Sequence, residues 1–212
     1  MIEIARRGLC LVLSAPSGAG KTAITERLMA LEPDLRRSVS VTTRKPRPGE
    51  ADGVHYHFMS EEQFVAAEQA GELLEWARVL RGTHAYGTPR GPVAAALAAG
   101  ADMIFDIDWQ GFRSMRDRLP GDVLGVFVLP PGLTVLEQRL RSRAGDNGKE
   151  IARRMAQARE EISHWKEFDC VVVNGDLDRA VEDVVGILRA ARLATARRVG
   201  IAGFVAGMEA GQ

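Results

Sequence analysis

Four short runs, Leu9–Ser14, Asp102–Ile107, Val123–Leu129 and Cys170–Val173, are apolar on both faces rather than alternating. That pattern predicts strands covered by helices on either side. Between them, apolar residues recur at helical spacing over Thr22–Leu31, Pro92–Ala98, Gly111–Arg118, Leu133–Arg143, Glu150–Lys166 and Leu177–Arg198. Strands alternating with helices predict an α/β fold built on a mostly parallel sheet with helices on both faces. Pro130-Pro131 stops the third of these strands, because proline cannot donate to a ladder.

The stretch 38–88 follows a different rule. Ser38–Thr43 and Val54–Phe58 alternate with period two, as strands with one exposed face do. A proline-rich loop, Arg44-Lys-Pro-Arg-Pro-Gly-Glu50, separates them, and Ser60-Glu-Glu-Gln63 has the capping-box pattern that opens a helix running to about Ala70. This predicts a small α+β lobe, residues 38–88, inserted into a core formed by 1–37 and 89–198. Residues 142–149, with Ala-Gly-Asp-Asn-Gly among them, predict a mobile cover between two helices, and the Gly/Ala-rich tail 199–212 predicts a frayed end.

Composition narrows the class. Lys+Arg and Asp+Glu both count 28, so the chain carries no net charge to suit a dedicated nucleic-acid surface. No apolar run approaches the ~20 residues of a membrane span, and the first residues lack the order of a secretory signal. Cys10 and Cys170 fall inside apolar runs and read as reduced core residues of a cytoplasmic protein. The four histidines show no zinc spacing. Whether the chain forms a homo-oligomer is left open.

The chemistry begins where the first strand ends. Ala15-Pro16-Ser17-Gly18-Ala19-Gly20-Lys21-Thr22 sits between a strand and a helix, the context of a phosphate-binding loop, with Ala15 where a glycine is usual. Glycines let backbone N–H groups turn toward phosphate oxygens, and the helix start adds the positive end of its dipole. Lys21 supplies a mobile charge and Thr22 a hydroxyl for magnesium. Asp106 and Asp108 close the second core strand and, two apart, point to one face of it; there Asp106 can orient water around a nucleotide's magnesium. Arg44 and Arg47, restrained by Pro46 and Pro48, suit a terminal phosphate, with Tyr56 and Tyr86 adding hydroxyls. Glu75, alone in an apolar strand, needs a partner; a guanine's N1–H and N2–H would provide one, with Ser40 donating to its O6. Arg139 and Arg143 share a helix face, and Arg154 on the next helix completes a set able to close over a transferring phosphoryl group, whereas Arg141 and Arg153 read as solvated.

In this order these stretches resemble the bacterial guanylate kinase family: 14–22, 38–50, 53–56, Glu75-Trp-Ala77, Tyr86-Gly-Thr88, Phe105-Asp-Ile-Asp-Trp-Gln-Gly111 and Val173-Asn174, together spanning roughly 8–190. The resemblance implies a P-loop nucleoside monophosphate kinase core, a GMP-binding lobe at 38–88, and a lid at about 138–158. It implies ATP and GMP as partners with no membrane or nucleic acid, and Mg2+ arriving with ATP, held by Thr22 and, through water, by Asp106. Ala15 to Thr22 and Asn174 would hold ATP. Ser40, Glu75, Thr88 and Asp106 would lie on GMP's side, with Arg44, Arg47, Tyr56 and Tyr86 on its phosphate. Lys21, Arg139, Arg143 and Arg154 would act on the transferring group. Two alternatives stand beside this kinase: a non-catalytic guanylate-kinase-like interaction module, and a related P-loop kinase for another small phosphorylated substrate. The turn 80–85 is about two residues longer than is usual in the family.

Overall fold

The computed structural model describes residues 4–79, 83–143 and 148–210. Five strands form a parallel sheet: β1 (Cys10–Ser14), β2 (Arg36–Arg37), β7 (Met103–Asp106), β8 (Val123–Leu129) and β9 (Cys170–Val173), in the order β2-β7-β1-β8-β9. Alternation along β1 divides the core in two. Leu9, Leu11 and Leu13 pack with α1 (Lys21–Leu31) and α7 (Leu177–Leu193) through Ile24, Leu28, Val181, Val184 and Leu188. Cys10 and Val12 face α3 (Arg90–Ala98) and α4 (Trp109–Arg118) through Val93, Leu97, Phe112 and Met115. A helix layer on each face is why the central strands read as unbroken apolar runs. Gly125 on β8 lies so close under the Phe112 ring that a β-carbon would collide with it.

The lobe is a second sheet, ordered β4-β3-β6-β5, from β3 (Val41–Thr42), β4 (His57–Phe58), β5 (Leu73–Val79) and β6 (His84–Pro89), with α2 (Glu61–Gln69) packed on it through Phe64. Ser60 and Gln63 form the capping box that the sequence predicts at the start of α2. The expected strands at 38–43 and 54–58 shrink to two residues each. Ser38 and Ser40 instead line the cleft between lobe and core, and the lobe's long ladder is the antiparallel β5–β6 hairpin. The expected mobile cover lies outside the described residues over 144–147, as does the longer turn over 80–82. What is described of the lid is the helix pair α5 (Leu133–Arg143) and α6 (Gly148–Ser163), joined by Leu136, Leu140 and Ala158 in a small cluster of their own.

Three further differences have local causes. β2 was not legible, because Arg36 and Arg37 are exposed and polar; β2 forms only by edge pairing to Met103 and Ile104. β9 is the other edge, and Val171 and Val173 stay exposed, so one of its faces is not covered as expected. The tail does not fray throughout. Ile201–Glu209 forms a helix, α8, braced at its start by the Gly200 N–H donating to Ala5 O, although Gly203 and Gly207 lie inside it and none of its residues is buried.

An ion-pair network ties the termini to the sheet. Asp102, only 2% exposed, accepts two hydrogen bonds from Arg6 at 2.7 and 2.8 Å, one from Arg192 Nε at 2.7 Å and one from the Leu9 N–H at 3.0 Å. Burial alone would raise its pKa; the arginine bonds outweigh that and hold it below the usual carboxylate value. A carboxyl so depressed contributes stability above its unfolded-state pKa, and that contribution is lost as pH falls through the folded one. Asp102→Asn is therefore expected to cost about 3–5 kcal/mol at neutral pH, since the arginines lose a buried partner. It should also flatten the decline in the urea midpoint below about pH 4. A midpoint unchanged from wild type at pH 7 would refute this role.

Candidate active site: two clefts meeting at one carboxylate

Loop 15–20 joins β1 to α1, and two of its glycines adopt left-handed backbone, Gly18 at φ 91° and Gly20 at φ 99°. Gly20 is the residue before α1, so Lys21 opens the helix. A β-carbon on Gly20 would strike the Asn174 side chain, which donates to Ala19 O at 2.7 Å and lies buried just after β9. Arg139 on α5 reaches the same spot, donating to Asn174 O at 3.3 Å and, at the limit of a hydrogen bond, to Ala19 O at 3.5 Å. These residues border a cleft of about 280 Å³ with Gly18, Ala23 and Leu177. From the lid, Arg154 donates to Ser17 Oγ at 2.9 Å, and Glu161 accepts the Ser17 N–H at 3.3 Å. The Arg143 side chain lies outside what is described. Arg141 and Arg153 are exposed and pair with Glu137 and Glu150 on their own helices, as the sequence predicted.

Parallel pairing of Leu13 with Asp106 sets the end of β7 beside the phosphate loop. There Lys21 Nζ lies 2.5 Å from Asp106 Oδ1, both side chains about a quarter exposed. The strand ends at Asp106, so Asp108 does not share its face as expected. Asp108 turns to accept the Gly111 N–H at 2.8 Å and caps α4.

Asp106 also lines the second cleft, about 340 Å³ between core and lobe, with Ser38, Ser40, Tyr56 and Thr88. Opposite Thr88 on the hairpin is Glu75, whose carboxylate takes the Thr88 hydroxyl at 2.5 Å. Within the chain Thr88 is thus a partner of this carboxylate, for which the sequence reading offered a guanine. Burial pushes the Glu75 carboxyl above its ordinary value, the Thr88 hydrogen bond pulls it partly back, and the Asp108 charge raises it further.

Arg44 is buried against the aromatics, its guanidinium 5.4 Å from the centre of the Tyr56 ring and its Nε donating to the Tyr86 hydroxyl at 3.3 Å. It also forms a two-pronged pair with Glu50 at 3.0 and 2.9 Å. Sequence reading missed Glu50, although its place six residues on, after the Pro-Gly turn, could have marked it. Arg47 donates its backbone N–H to Glu50, and Arg44 and Arg47 together line a basin of about 770 Å³ with Lys45, Arg78 and His84. The structure thus gathers Arg44, Tyr56 and Tyr86, and Arg47 shares a basin with Arg44 on the same loop. No cluster of three or more potential metal ligands from His, Cys, Asp and Glu occurs among the described residues.

A phosphate loop on a five-stranded parallel sheet, an inserted lobe with a polar cleft facing it, and a helical lid define a P-loop phosphotransferase of the nucleoside monophosphate kinase class. Residues 7–191 match the family model described as guanylate kinase. The chain is 58% identical over 207 residues to the guanylate kinase of Gluconobacter oxydans, covering 97% of this chain and 98% of that one. It is 54% identical over 202 residues to that of Rhodospirillum rubrum, covering 95% and 92%. The crystal structure of guanylate kinase from Anaplasma phagocytophilum superposes with a TM-score of 0.72 at 30% identity, covering 96% of each chain. The chain belongs to the guanylate kinase family.

The Arg44–Glu50 pair is open to direct measurement. Its hydrogen bonds from Arg44, with the Arg47 N–H, lower the Glu50 carboxyl to about 2. In Arg44→Met, carbon-detected NMR titration should find Glu50 returned most of the way toward about 4.3. A titration unchanged in the variant would show that the pair does not form in solution.

Proposed function

We infer that the chain transfers the γ-phosphoryl group of ATP to GMP, giving ADP and GDP, with ATP in the phosphate-loop cleft and GMP in the lobe cleft. Asp106 carries this reading: the same carboxylate lines the lobe cleft and touches the phosphate-loop lysine, so the two sites meet there.

In this scheme the N–H groups of residues 15–22 surround the ATP phosphates, and Asn174 braces the loop on the adenine side. Ser40, Glu75 and Thr88 address the guanine. Arg44, Arg47, Tyr56 and Tyr86 address the GMP phosphate. A nucleoside monophosphate has its second pKa near ~6, so at neutral pH the attacking oxygen is already ionised and needs no general base. Positioning and charge stabilisation by Lys21, Arg139, Arg154 and Arg143 then carry the catalysis. The donor set at Thr22 and Asp106 fits magnesium that arrives with the nucleotide, because Mg2+ typically takes one or two protein oxygens plus phosphates and water. When bound, it supplies charge neutralisation on the phosphate oxygens. The lobe (38–88) and lid (about 138–158) close around the substrates, which excludes water.

No helix among the described residues is long and apolar enough to cross a membrane. We place the enzyme in the cytoplasm, where ATP and GMP are its partners. Nothing in the fold or its relatives favours a non-catalytic module or a different small substrate.

Two variants test the assignments in a coupled ADP-release assay. Lys21→Ala should lower kcat by about 10²–10³-fold with an unchanged melting curve; normal turnover would remove the lysine from the chemistry. Glu75→Gln should raise KM for GMP by tenfold or more, in the range expected when a buried polar contact is lost, and leave KM for ATP within about twofold. Equal effects on both constants would place Glu75 elsewhere.

The raised Glu75 pKa adds a pH signature. The ionised carboxylate is the form that accepts the guanine N–H groups. On acidification it should take up a proton at higher pH than an exposed glutamate, so KM for GMP rises earlier as pH falls. Thr88→Val removes the hydrogen bond that favours the ionised form and should move this acid limb to higher pH still. A limb that stays in place would uncouple the two residues.

A further inference from the structure

Among the described residues, two contacts between the core and the lid helix α6 or its end stand out. One is at the phosphate loop, reached along a single stripe: Arg154 donates to Ser17 Oγ, Gln157 donates to Glu161 Oε1 at 2.8 Å, and Glu161 accepts the Ser17 N–H. Steps of three and four residues keep these side chains on one face. The other contact lies just past the helix end. His164 stacks flat on Trp109, with ring centroids 3.6 Å apart and planes inclined by 12°. Trp109 opens α4, directly after the Asp108 cap and three residues beyond Asp106.

The stack is held from several sides. Arg113 places its guanidinium 4.5 Å from the centre of the Trp109 ring. Arg113 also pairs with Glu167, and Glu167 lies 2.7 Å from His164 Nδ1. Glu160, one turn before, lies 3.6 Å from His164 Nε2. These contacts form a closed ring joining the end of α6 to the start of α4. The hydrophobic cluster of α5 and α6 is separate from both clusters that pack on the sheet. An aromatic stack with charged flanks thus helps to fasten this end of the lid, beside Phe168, which packs on Phe112 in the core.

We propose that Trp109 and His164 are the fulcrum of the lid helix and act as positioning residues for Arg154. The proposal rests on the catalytic role given to Arg154 above. Ten residues of helix separate Arg154 from His164, about 15 Å at the rise of an α-helix. A tilt of about 10° at the stack would then shift Arg154 by roughly 2.5 Å, and misplacement by about 1 Å can already cost 10²-fold in rate. The pair thereby couples the lid to the strand end that bears Asp106.

The test is a double-mutant cycle in the same assay, with melting curves for every variant. His164→Ala should lower kcat about tenfold and leave KM for GMP within about twofold, the pattern of a lost transition-state contact. His164→Phe keeps a stacking ring and should recover kcat to within about twofold of wild type. Arg154→Ala should lower kcat on its own, and adding His164→Ala to it should cost little more. If Arg154→Ala turns over normally, the role of Arg154 fails and the fulcrum has nothing to position. If Arg154→Ala is impaired but His164→Ala is not, the fulcrum alone fails. Additive losses, a parallel rise in KM for GMP, or no recovery in a folded His164→Phe would also overturn it.

Discussion

The contact between Lys21 and Asp106 is the constraint that the rest of the site depends on. Lys21 belongs to the phosphate loop, whose geometry is set by two left-handed glycines and the start of α1. Asp106 belongs to the neighbouring strand, whose register with β1 is set by main-chain pairing. In a parallel sheet every strand points the same way, so the ends of β1 and β7 open on one side. Both connections then leave for helices that cover the sheet. Ligands gather in that crevice for this topological reason, before any side chain is chosen. The lobe follows β2 and leads into α3, and it brings its own polar cleft to the same edge.

Two strong cations of this arrangement are already matched by anions. Lys21 has Asp106, and Arg44 has Glu50. Several positive side chains aimed at one place would repel one another in a site of reduced dielectric. Local carboxylates remove that repulsion and hold the side chains in position. A phosphate that enters must share or exchange these partners, so its net gain is smaller than the bare attraction suggests. What the protein obtains is orientation: the guanidinium of Arg44 is fixed by Glu50, Tyr86 and the Tyr56 ring, and loses little freedom when a phosphate arrives.

How far the sequence reveals this depends on the kind of signal. The central strands were legible because burial on both faces leaves an uninterrupted apolar run; β8 falls where the pattern put it, and so does β9, although one of its faces is exposed. β2 was not, since an edge pair of exposed arginines has no hydrophobic signature. The lobe strands were read too long, because alternation in Ser38–Thr43 reflects one wall of a cleft as well as a strand face. At the site, residues whose chemistry is tied to a motif, such as Lys21 and Arg44, could be named in advance. Glu50, six residues after Arg44 on the same loop, could have been but was missed; Glu161 and His164 could not. Each of these two acts through a partner far away in sequence, and only the folded chain brings them together.

In the proposed guanine site, Glu75 shows why a partly buried carboxylate is worth its cost. Burial disfavours the charged form of Glu75, and the Thr88 hydroxyl offsets that only in part. The residue is therefore unsettled alone and settled by a ligand that brings two N–H groups to its oxygens. Guanine has them side by side; adenine presents a lone pair at the corresponding nitrogen and would add repulsion to an already strained charge. On the proposed assignment, selectivity would arise from the penalty on the wrong base more than from any extra attraction to the right one. An exposed glutamate, content in water, would form the same hydrogen bonds with guanine and reject adenine far less.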